Sequence, residues 1–517
     1  MNVEGHEVKT ATDGAGQRCV LSRPVRATTV EFRGEPADVP IMCDTVLAEI
    51  CKVVDIAEAG GDAAGLRLRT GGGAMIRVVA GVPAAAKAAP TATHTLTLVL
   101  EDAGALAPDQ AAAVLDAVRR LPFTPVEMDA LRRQMPLTGE LPLFLPANCL
   151  ASVAPVLTVH HMTDFLIMVE TVRALGVPAQ AITVLDKGYR YQHTHRVDAH
   201  LAAQGVRVWP WTRTADALAD HAQRAAAMGR SGLLIDDGGY TLPVLLTERS
   251  DLLPAYIGLV EQTISGITKL ENWQRRLPVP VFSVAESALK AAVESYGIAD
   301  AAIRNVLRLL PDEKMEGQPA LVVGFGRIGE QLAEVLRQRR MRVAVYDRRL
   351  VRLIAAHERG FLTGRCLTTL LRDHHPFLIV GSTGRTSLRG EHAGALTRDC
   401  YLVSTTSRDR EFAVAELAGE ATRVEDAGVL GTRLHLPSGA VATLVADGMP
   451  VNFHHAESLP NSYADLILAS LIVGAATLAT PGHSFQPGHN LAETDTVLEG
   501  CGLLERYYAR FGPGNGA

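Results

Sequence analysis

The sequence has little of what secreted, membrane or nucleic-acid-binding proteins need. Its seven cysteines are odd in number and scattered, with no Cys-x-x-Cys pair, which argues against a disulfide framework or a zinc site. Acidic residues outnumber basic ones and the net charge is −6, so there is no overall positive field for nucleic acid or anionic membranes. The expected partner is therefore a small molecule, with no nucleic acid and no membrane.

Targeting and membrane signals are equally scarce. The N-terminal stretch MNVEGHEVKTATDGAG is polar and lacks the basic and then apolar order of a signal peptide. The longest apolar run, residues 466–479, is short for a bilayer span, so we expect a buried core helix. Together these features predict a reduced, cytoplasmic protein that is long enough, at 517 residues, for several domains.

The rhythm of the sequence changes after its first quarter. Residues 1–128 alternate like short half-buried strands and contain no catalytic motif, which predicts an appended α+β domain of unknown role. Strands then alternate with helical segments, the order that builds a mostly parallel sheet. The predicted fold class is α/β with two Rossmann-like domains. These are a substrate-binding domain of residues 129–298 and 454–517 and an NAD-binding domain of residues 299–453.

The stretch GLLIDDGGYTLP, residues 232–243, joins an apolar run to two aspartates and two glycines. Carboxylates at the carboxyl end of a buried strand lie where open α/β sheets usually bind ligands, and glycines let backbone approach the ligand closely. A solvated Asp-Gly turn explains the same residues. The segment alone leaves both interpretations open.

The strongest motif is a dinucleotide-binding fingerprint at residues 319–349. A strand, three spaced glycines, a helix, a second strand and an acid follow one another at the required distances. The acid would bind ribose hydroxyls and repel a 2′-phosphate, which favours NAD, although Arg348 and Arg349 keep NADP open. The predicted cofactor-binding residues of this motif are Gly324, Gly326, Arg327, Ile328, Gly329 and Asp347.

Seven fragments follow one another with familiar spacings. They are HMT (161–163), DDGG (236–239), VEQTISG (260–266), VPVFSVAESALKAAVES (279–295), GFGRIG (324–329), STG (382–384) and MPVNF (449–453). Their order resembles that of the S-adenosylhomocysteine hydrolase family from about residue 130 to 480. The resemblance implies tightly held NAD that oxidises the ribose 3′-hydroxyl of a nucleoside. The neighbouring C4′ proton becomes acidic, the 5′ substituent leaves, water adds, and the ketone is reduced back.

The resemblance also implies roles for particular residues. Lys290 matches the lysine beside the 3′-hydroxyl, and Glu294 stands where the family has an aspartate; their i, i+4 spacing puts them on one helical face. His161 and Asp237 match the family's groups near C5′ and C4′. The implied substrate-binding residues are Thr163, Gln262, Thr263, His454 and His455. Further implied cofactor contacts are Ser382, Thr383, Gly384 and Asn452.

Several positions depart from the family pattern. Phe165 replaces an acid that helps to read adenine, Gln262 replaces a glutamate, and Ser407 or Arg408 stands near a missing histidine. The C-terminal tail lacks the lysine and tyrosine that reach a neighbouring subunit, which weakens the homo-oligomer that the family implies. We therefore expect retained 3′-oxidation chemistry on a different or differently substituted nucleoside. A C4′/C5′ epimerase or lyase using the same chemistry, an ordinary dehydrogenase and a silent NAD-binding regulatory protein remain alternatives.

Overall fold

A computed structural model describes residues 26–62, 65–81, 91–189, 191–271, 277–406, 411–455 and 461–512. The chain divides into two compact units. The first comprises residues 1–134 and 193–205, and the second comprises residues 135–192 and 206–517.

The first unit is built on a five-stranded antiparallel sheet in the order β1-β5-β4-β3-β2. Its strands are β1 (Arg26–Gly34), β2 (Ile56–Asp62), β3 (Gly65–Thr70), β4 (Met75–Gly81) and β5 (Ala92–Asp102). Its helices are α1 (Asp38–Cys51), α2 (Pro108–Asp116), α3 (Pro125–Gln134) and α6 (Thr194–Ala203). In β5 every second residue from His94 to Leu100 is buried, so one face of the sheet packs against a core that includes Phe32 and Ile50. The predicted α+β character of this part of the chain is confirmed.

Helix α6 belongs to the first unit although it comes much later in the sequence. Its Arg196 is 3% exposed and holds Glu127 at 2.6 Å through Nη2. The same guanidinium donates to the backbone carbonyls of Leu121 and Pro122. A buried arginine with this many acceptors anchors the helix within its unit.

The second unit contains two sheets, of which the first has seven parallel strands in the order β20-β11-β10-β9-β6-β7-β8. They are β6 (Val153–Thr158), β7 (Thr183–Asp186), β8 (Arg207–Pro210), β9 (Ser231–Asp236), β10 (Tyr256–Glu261), β11 (Pro280–Ser283) and β20 (Gly488–His489). Strand β6 is central, and the chain moves outward on one side of it before β9 begins the other side. A topological switch point therefore lies between β6 and β9.

The second sheet has eight strands in the order β14-β13-β12-β15-β16-β19-β18-β17. They are β12 (Pro319–Val323), β13 (Arg342–Tyr346), β14 (Leu362–Thr363), β15 (Leu378–Gly381), β16 (Cys400–Ser404), β17 (Arg423–Asp426), β18 (Gly431–His435) and β19 (Val441–Val445). All pairs are parallel except the two that β18 makes with β17 and β19. Here the switch point lies between β12 and β15. The prediction of an α/β fold with two Rossmann-like sheets is confirmed.

Helices cover the sheets of the second unit. They are α4 (Pro136–Glu140), α5 (Phe165–Ala174), α7 (Thr214–Ala227), α8 (Leu242–Thr247), α9 (Ile264–Glu271), α10 (Ala288–Leu309), α11 (Arg327–Gln338), α12 (Leu350–Glu358), α13 (Leu367–His374), α14 (Val414–Glu420), α15 (Asn461–Ala479), α16 (Leu491–Gly500) and α17 (Leu503–Phe511). Helix α15 is long and apolar enough to cross a membrane, but 78% of its window Ser462–Ala479 is buried inside the protein. It packs as the core helix that the sequence predicts.

Candidate active site

The site lies where the switch points of the two sheets face one cavity of about 670 Å³ within the second unit. The carboxyl ends of parallel strands meet at one edge of a sheet, so residues that follow β6, β9 and β10 come together there. The dinucleotide-type loop after β12 and the loop after β15 line the same cavity. Its volume is in the range of sites that bind small molecules.

The two neighbouring aspartates at the end of β9 make different contacts. Oδ2 of Asp236 accepts hydrogen bonds from the backbone of Tyr240 and Thr241, at 2.8 and 2.7 Å, and from the Thr241 hydroxyl at 2.6 Å. Asp236 thus closes the turn. Gly238 and Gly239, with φ of 119° and 64°, let the backbone make this turn. The neighbouring side chain, Asp237, lines the cavity.

Asp237 is held between two basic side chains. Its Oδ2 lies 2.9 Å from Nζ of Lys187 and 3.0 Å from Nε2 of His160. Burial alone would raise the pKa of Asp237, but the Lys187 ammonium and the His160 ring hold it well below its usual range. Asp237 is therefore an ionised carboxylate in a site that is almost closed to solvent.

His160 is surrounded by aromatic rings. Its ring stacks on Phe453 with 3.9 Å between centroids, and Tyr189 and Tyr191 lie within 6 Å. Nδ1 shares a hydrogen bond with the Tyr191 hydroxyl. Burial, and then the Lys187 charge, lower the pKa of His160 to about 4. The imidazole is therefore neutral at physiological pH.

A second charged pair, Lys290 and Glu294, lies on α10. Nζ of Lys290 is 3.1 Å from Oε2 of Glu294 and donates to the backbone carbonyl of Gln262. Burial raises the pKa of Glu294 although Lys290 pulls it down. Ser287 caps the helix by accepting from the Lys290 amide at 3.2 Å. The first turn of α10 is thus fixed, which sets the direction of the lysine.

The carboxyl end of β10 adds a buried acid and an amide. Oε1 of Glu261 accepts from the amides of Gly238 and Thr263, at 3.0 and 2.9 Å, so it joins two loops of the site. Burial, together with Asp236 and Asp237, raises the pKa of Glu261 to about 8. Next to it, Oε1 of Gln262 is buried and makes no hydrogen bond with any residue that the structure describes. This oxygen is available to a ligand hydroxyl.

The glycine loop after β12 has the shape that a dinucleotide requires. A Cβ on Gly329 would lie 1.9 Å from the Gly324 carbonyl oxygen, and one on Gly324 would lie 2.8 Å from the Ser382 carbonyl oxygen. Helix and strand are therefore as close as backbone allows. A Cβ on Gly326 would meet only the Arg352 side chain, at 3.5 Å. The N-terminus of α11 is therefore open toward the cavity.

Asp347 follows the second strand of the motif. It is 8% exposed, and its two oxygens accept from the amides of Phe325 and Arg349, each at 2.7 Å. Arg352 lies 3.7 Å from Oδ2. The carboxylate is thus placed beside the glycine loop, while Arg352 itself lines the cavity.

The loop after β15 is held by an acid that sequence reasoning missed. Glu411 accepts from the amides of Thr383 and Gly384, at 3.0 and 3.3 Å, and from the hydroxyls of Thr383 and Thr406, at 2.8 and 2.9 Å. It is fully buried. Ser407 and Arg408, which stand in the sequence near the position of the missing histidine, lie outside the described residues.

The cavity gathers most of the sequence-predicted residues. The predicted residues that line it are Asp237, Gln262, Thr263, Lys290, Glu294, Gly326, Arg327, Ile328, Ser382, Thr383, Gly384 and Asn452. Gly324, Gly329 and Asp347 stand behind this surface and shape it.

Four predicted substrate or catalytic residues do not line the cavity. His161 is fully buried and stacks on Phe165, with 5.7 Å between centroids, whereas its neighbour His160 lines the cavity. Thr163 is buried beside it. His454 binds the Val429 carbonyl oxygen through Nε2 at 2.6 Å, and its ring packs against His455.

Phe165 stands where the family has an acid, and the residue before it, Asp164, lines the cavity. Phe165 is in the core, whereas Asp164, one residue earlier, contributes to the cavity wall. Burial, with Asp465 nearby, raises the pKa of Asp164 to about 7. A carboxyl group is therefore still available to a ligand, from the preceding position.

No protein-family model matches the chain. An S-inosyl-L-homocysteine hydrolase of Methanopyrus kandleri is 25% identical to it over 364 residues, which cover 69% of this chain and 84% of that protein. An adenosylhomocysteinase of Thermoplasma acidophilum is 26% identical over 244 residues, covering 46% and 58%. An uncharacterised protein of Mycobacterium tuberculosis is 28% identical over 343 residues, or 62% of each chain. The chain thus spans less than two thirds of the latter two relatives.

Proposed function

We propose that this chain, a divergent relative of the S-adenosylhomocysteine hydrolases, is an NAD-dependent enzyme that acts on a nucleoside or nucleoside thioether. The reaction would proceed by transient oxidation at C3′, removal of the C4′ proton and elimination or addition at C5′. The names of the relatives make S-adenosylhomocysteine and S-inosylhomocysteine the first substrates to test.

The observation that carries this proposal is the set of residues that line one cavity of the second unit. The open glycine loop and the loop after β15 supply a wall for a dinucleotide, while Asp237, Lys290 and Glu294 line the same space. A cofactor and ionisable side chains that share one cavity can act on one substrate carbon.

The residues present fit a dinucleotide. The glycine loop leaves no room for side chains behind it, α11 opens its N-terminus toward the cavity, and Asp347 is fixed beside the loop. The amides at the N-terminus of α11 would bind the pyrophosphate, and Asp347 would bind the adenosine ribose. When bound, NAD supplies a reversible acceptor for the hydride at C3′.

Lys290 is the proposed base for the 3′-hydroxyl. Nζ would first pass a proton to Glu294, which lies 3.1 Å away and has a raised pKa, and the neutral amine would then take the hydroxyl proton. The carbonyl oxygen of Gln262 fixes Nζ from a second direction, while the side-chain oxygen of Gln262 would accept from a ribose hydroxyl.

Asp237 is the proposed acceptor of the C4′ proton. It is ionised, lines the same cavity as the glycine loop, and is 2% exposed. Because its pKa is held low, the Asp237 carboxylate is unprotonated at neutral pH and can accept a proton from a substrate carbon placed against it. The burial of Asp237 also limits the access of water to the reactive ketone that would form at C3′.

The first test is to denature the purified protein in acid and identify the released molecules by mass spectrometry. We expect near-stoichiometric NAD, together with a nucleoside or its 3′-keto form. Release of NADH in step with turnover would instead show an ordinary dehydrogenase and contradict the redox-neutral reaction. Protein that releases no dinucleotide, and that shows no reduced cofactor after either S-nucleosylhomocysteine is added, would rule the proposal out.

A further inference from the structure

Lys187 is a buried cation that the proposed reaction does not use. It follows β7 directly, its side chain is 4% exposed, and it does not line the cavity. Its Nζ lies 2.9 Å from Oδ2 of Asp237 and 3.3 Å from Nε2 of His160. A lysine this deeply buried needs a compensating charge, which here is the carboxylate that faces the substrate.

His160 occupies the other side of the same carboxylate oxygen. Nε2 lies 3.0 Å from Oδ2 of Asp237, and Nδ1 shares its hydrogen bond with Tyr191. Both ring nitrogens therefore already have neighbours, and the stacked Phe453 ring fixes the imidazole plane. Because both basic groups approach Oδ2, the other oxygen, Oδ1, is the one left for a ligand.

One positive charge has opposite consequences for these two neighbours. The Lys187 ammonium favours loss of a proton from Asp237, since the ion pair stabilises the carboxylate. The same ammonium disfavours a proton on His160, since two adjacent cations repel. Lys187 therefore separates the charge states of two groups that contact each other.

We infer that Lys187 is a positioning residue that sets the protonation of the Asp237–His160 pair. It keeps Asp237 ionised, so that Oδ1 can accept a proton from the substrate. It also keeps the His160 imidazole, which lines the cavity, uncharged. This inference rests on the proposed function, because it concerns the carboxylate to which that function assigns the C4′ proton.

Other ionisable groups also act on Asp237. They are Tyr191 after β7, Glu261 at the end of β10, and Lys290 and Glu294 on α10. Of these only Lys290 is cationic, and it has its own carboxylate partner in Glu294. Lys187, by contrast, makes its ion pair with Asp237 itself.

A titration of His160 in the ligand-free protein tests the inference without turnover. The ring signals are followed by NMR from pH 3 to 8 and assigned with His160→Gln. In Lys187→Met we expect the His160 pKa to rise by about one unit or more, because the repelling charge is gone. Lys187→Arg should stay near the wild-type value, as should Lys314→Met, which removes an exposed lysine on another part of the surface.

An unchanged His160 titration in Lys187→Met would overturn the inference. If the methionine variant does not fold, Lys187→Gln serves the same test, because it removes the charge and retains a hydrogen-bond donor.

Solvent deuterium exchange at C4′ supplies the second readout, with S-adenosylhomocysteine and S-inosylhomocysteine as probes. The acidic limb of the rate–pH profile should move up by about one to three pH units in Lys187→Met, and Lys187→Arg should restore it. A folded Lys187→Met protein that is inactive at every pH, with arginine giving no rescue, would place Lys187 on the reacting atoms and refute a positioning role. Wild-type protein that exchanges neither probe would defeat the proposed function, and the His160 titration would still decide the role of Lys187.

Discussion

The two walls of the cavity recognise their ligands with different parts of the chain. The wall formed by the second sheet presents backbone, because glycines and helix amides shape the loops after β12 and β15. The wall formed by the first sheet presents ionisable side chains, with Lys290 and Asp237 at its surface. A backbone wall depends on close approach, which at Gly324 and Gly329 leaves no room for a side chain. A side-chain wall depends on charge and proton position. The two walls should therefore fail in different ways.

The largest expected effect comes from removing the proposed base. Lys290→Met should lower the rate of cofactor reduction by at least about 10²-fold, since proton transfer by a positioned group contributes that much. The dinucleotide should remain bound, because the glycine loop is untouched. Rapid-scan absorbance of the reduced cofactor measures the rate, with Lys314→Met as the control. A Lys290→Met protein that reduces its cofactor at the wild-type rate would refute the role of this lysine.

The converse change acts on the backbone wall. In Gly329→Ala the new Cβ would meet the Gly324 carbonyl oxygen at 1.9 Å, so helix and loop must separate. We expect a loss of about 1–3 kcal/mol in stability, the usual cost of overpacking, together with loss of bound dinucleotide. Thermal unfolding and cofactor content measure both.

Gly419→Ala is the matched control for this change. Its new Cβ would meet nothing within 4 Å, and the residue lies in a helix, so stability should be unchanged or slightly higher. Retained cofactor in Gly329→Ala would show that the close approach of helix and loop is not needed for binding.

A smaller effect is expected from Glu261, a residue of the side-chain wall whose protonation affects stability. The pKa of Glu261 is about 8 in the fold and near its ordinary value in the unfolded chain. Between roughly pH 4.5 and 8 the folded protein therefore holds an additional proton, and stability must fall as the pH rises. Glu261→Gln should remove up to about 1.4 kcal/mol per pH unit from that slope. Denaturant unfolding at several pH values measures it, and parallel slopes in both proteins would contradict the assignment.

The sequence predicts a wall of the cavity well where the residues that form it lie close together along the chain. The glycine loop, its helix and Asp347 lie within one continuous segment, residues 319–349, so the spacing of these residues is enough to predict the dinucleotide-binding motif. The fold class follows from the same alternation of strands and helices. Glu411 is the exception on this wall, because it reaches the loop after β15 from beyond the next strand and belongs to no pattern.

On the side-chain wall the partners come from separate strand ends. Asp237 and Lys290 could be proposed from motifs, but the roles proposed for them still await experiment. Lys187 follows β7 as Asp237 follows β9, and that shared position was the available signal. The choice between His160 and His161 depends on which ring of a His-His pair turns toward the cavity. Sequence periodicity does not determine that at the end of a strand.

The placement of α6 bears on how the polypeptide can be shortened. This helix belongs to the first unit, yet it is encoded between β7 and β8 of the second, directly after the segment that carries Lys187 and Tyr191. A truncated gene that begins at residue 135 would still encode α6, but Arg196 would have lost Glu127 and the carbonyls of Leu121 and Pro122. Deleting residues 1–134 therefore also removes the partners of a helix that directly follows the segment carrying Lys187, so the effect of the deletion cannot be assigned to the N-terminal unit alone.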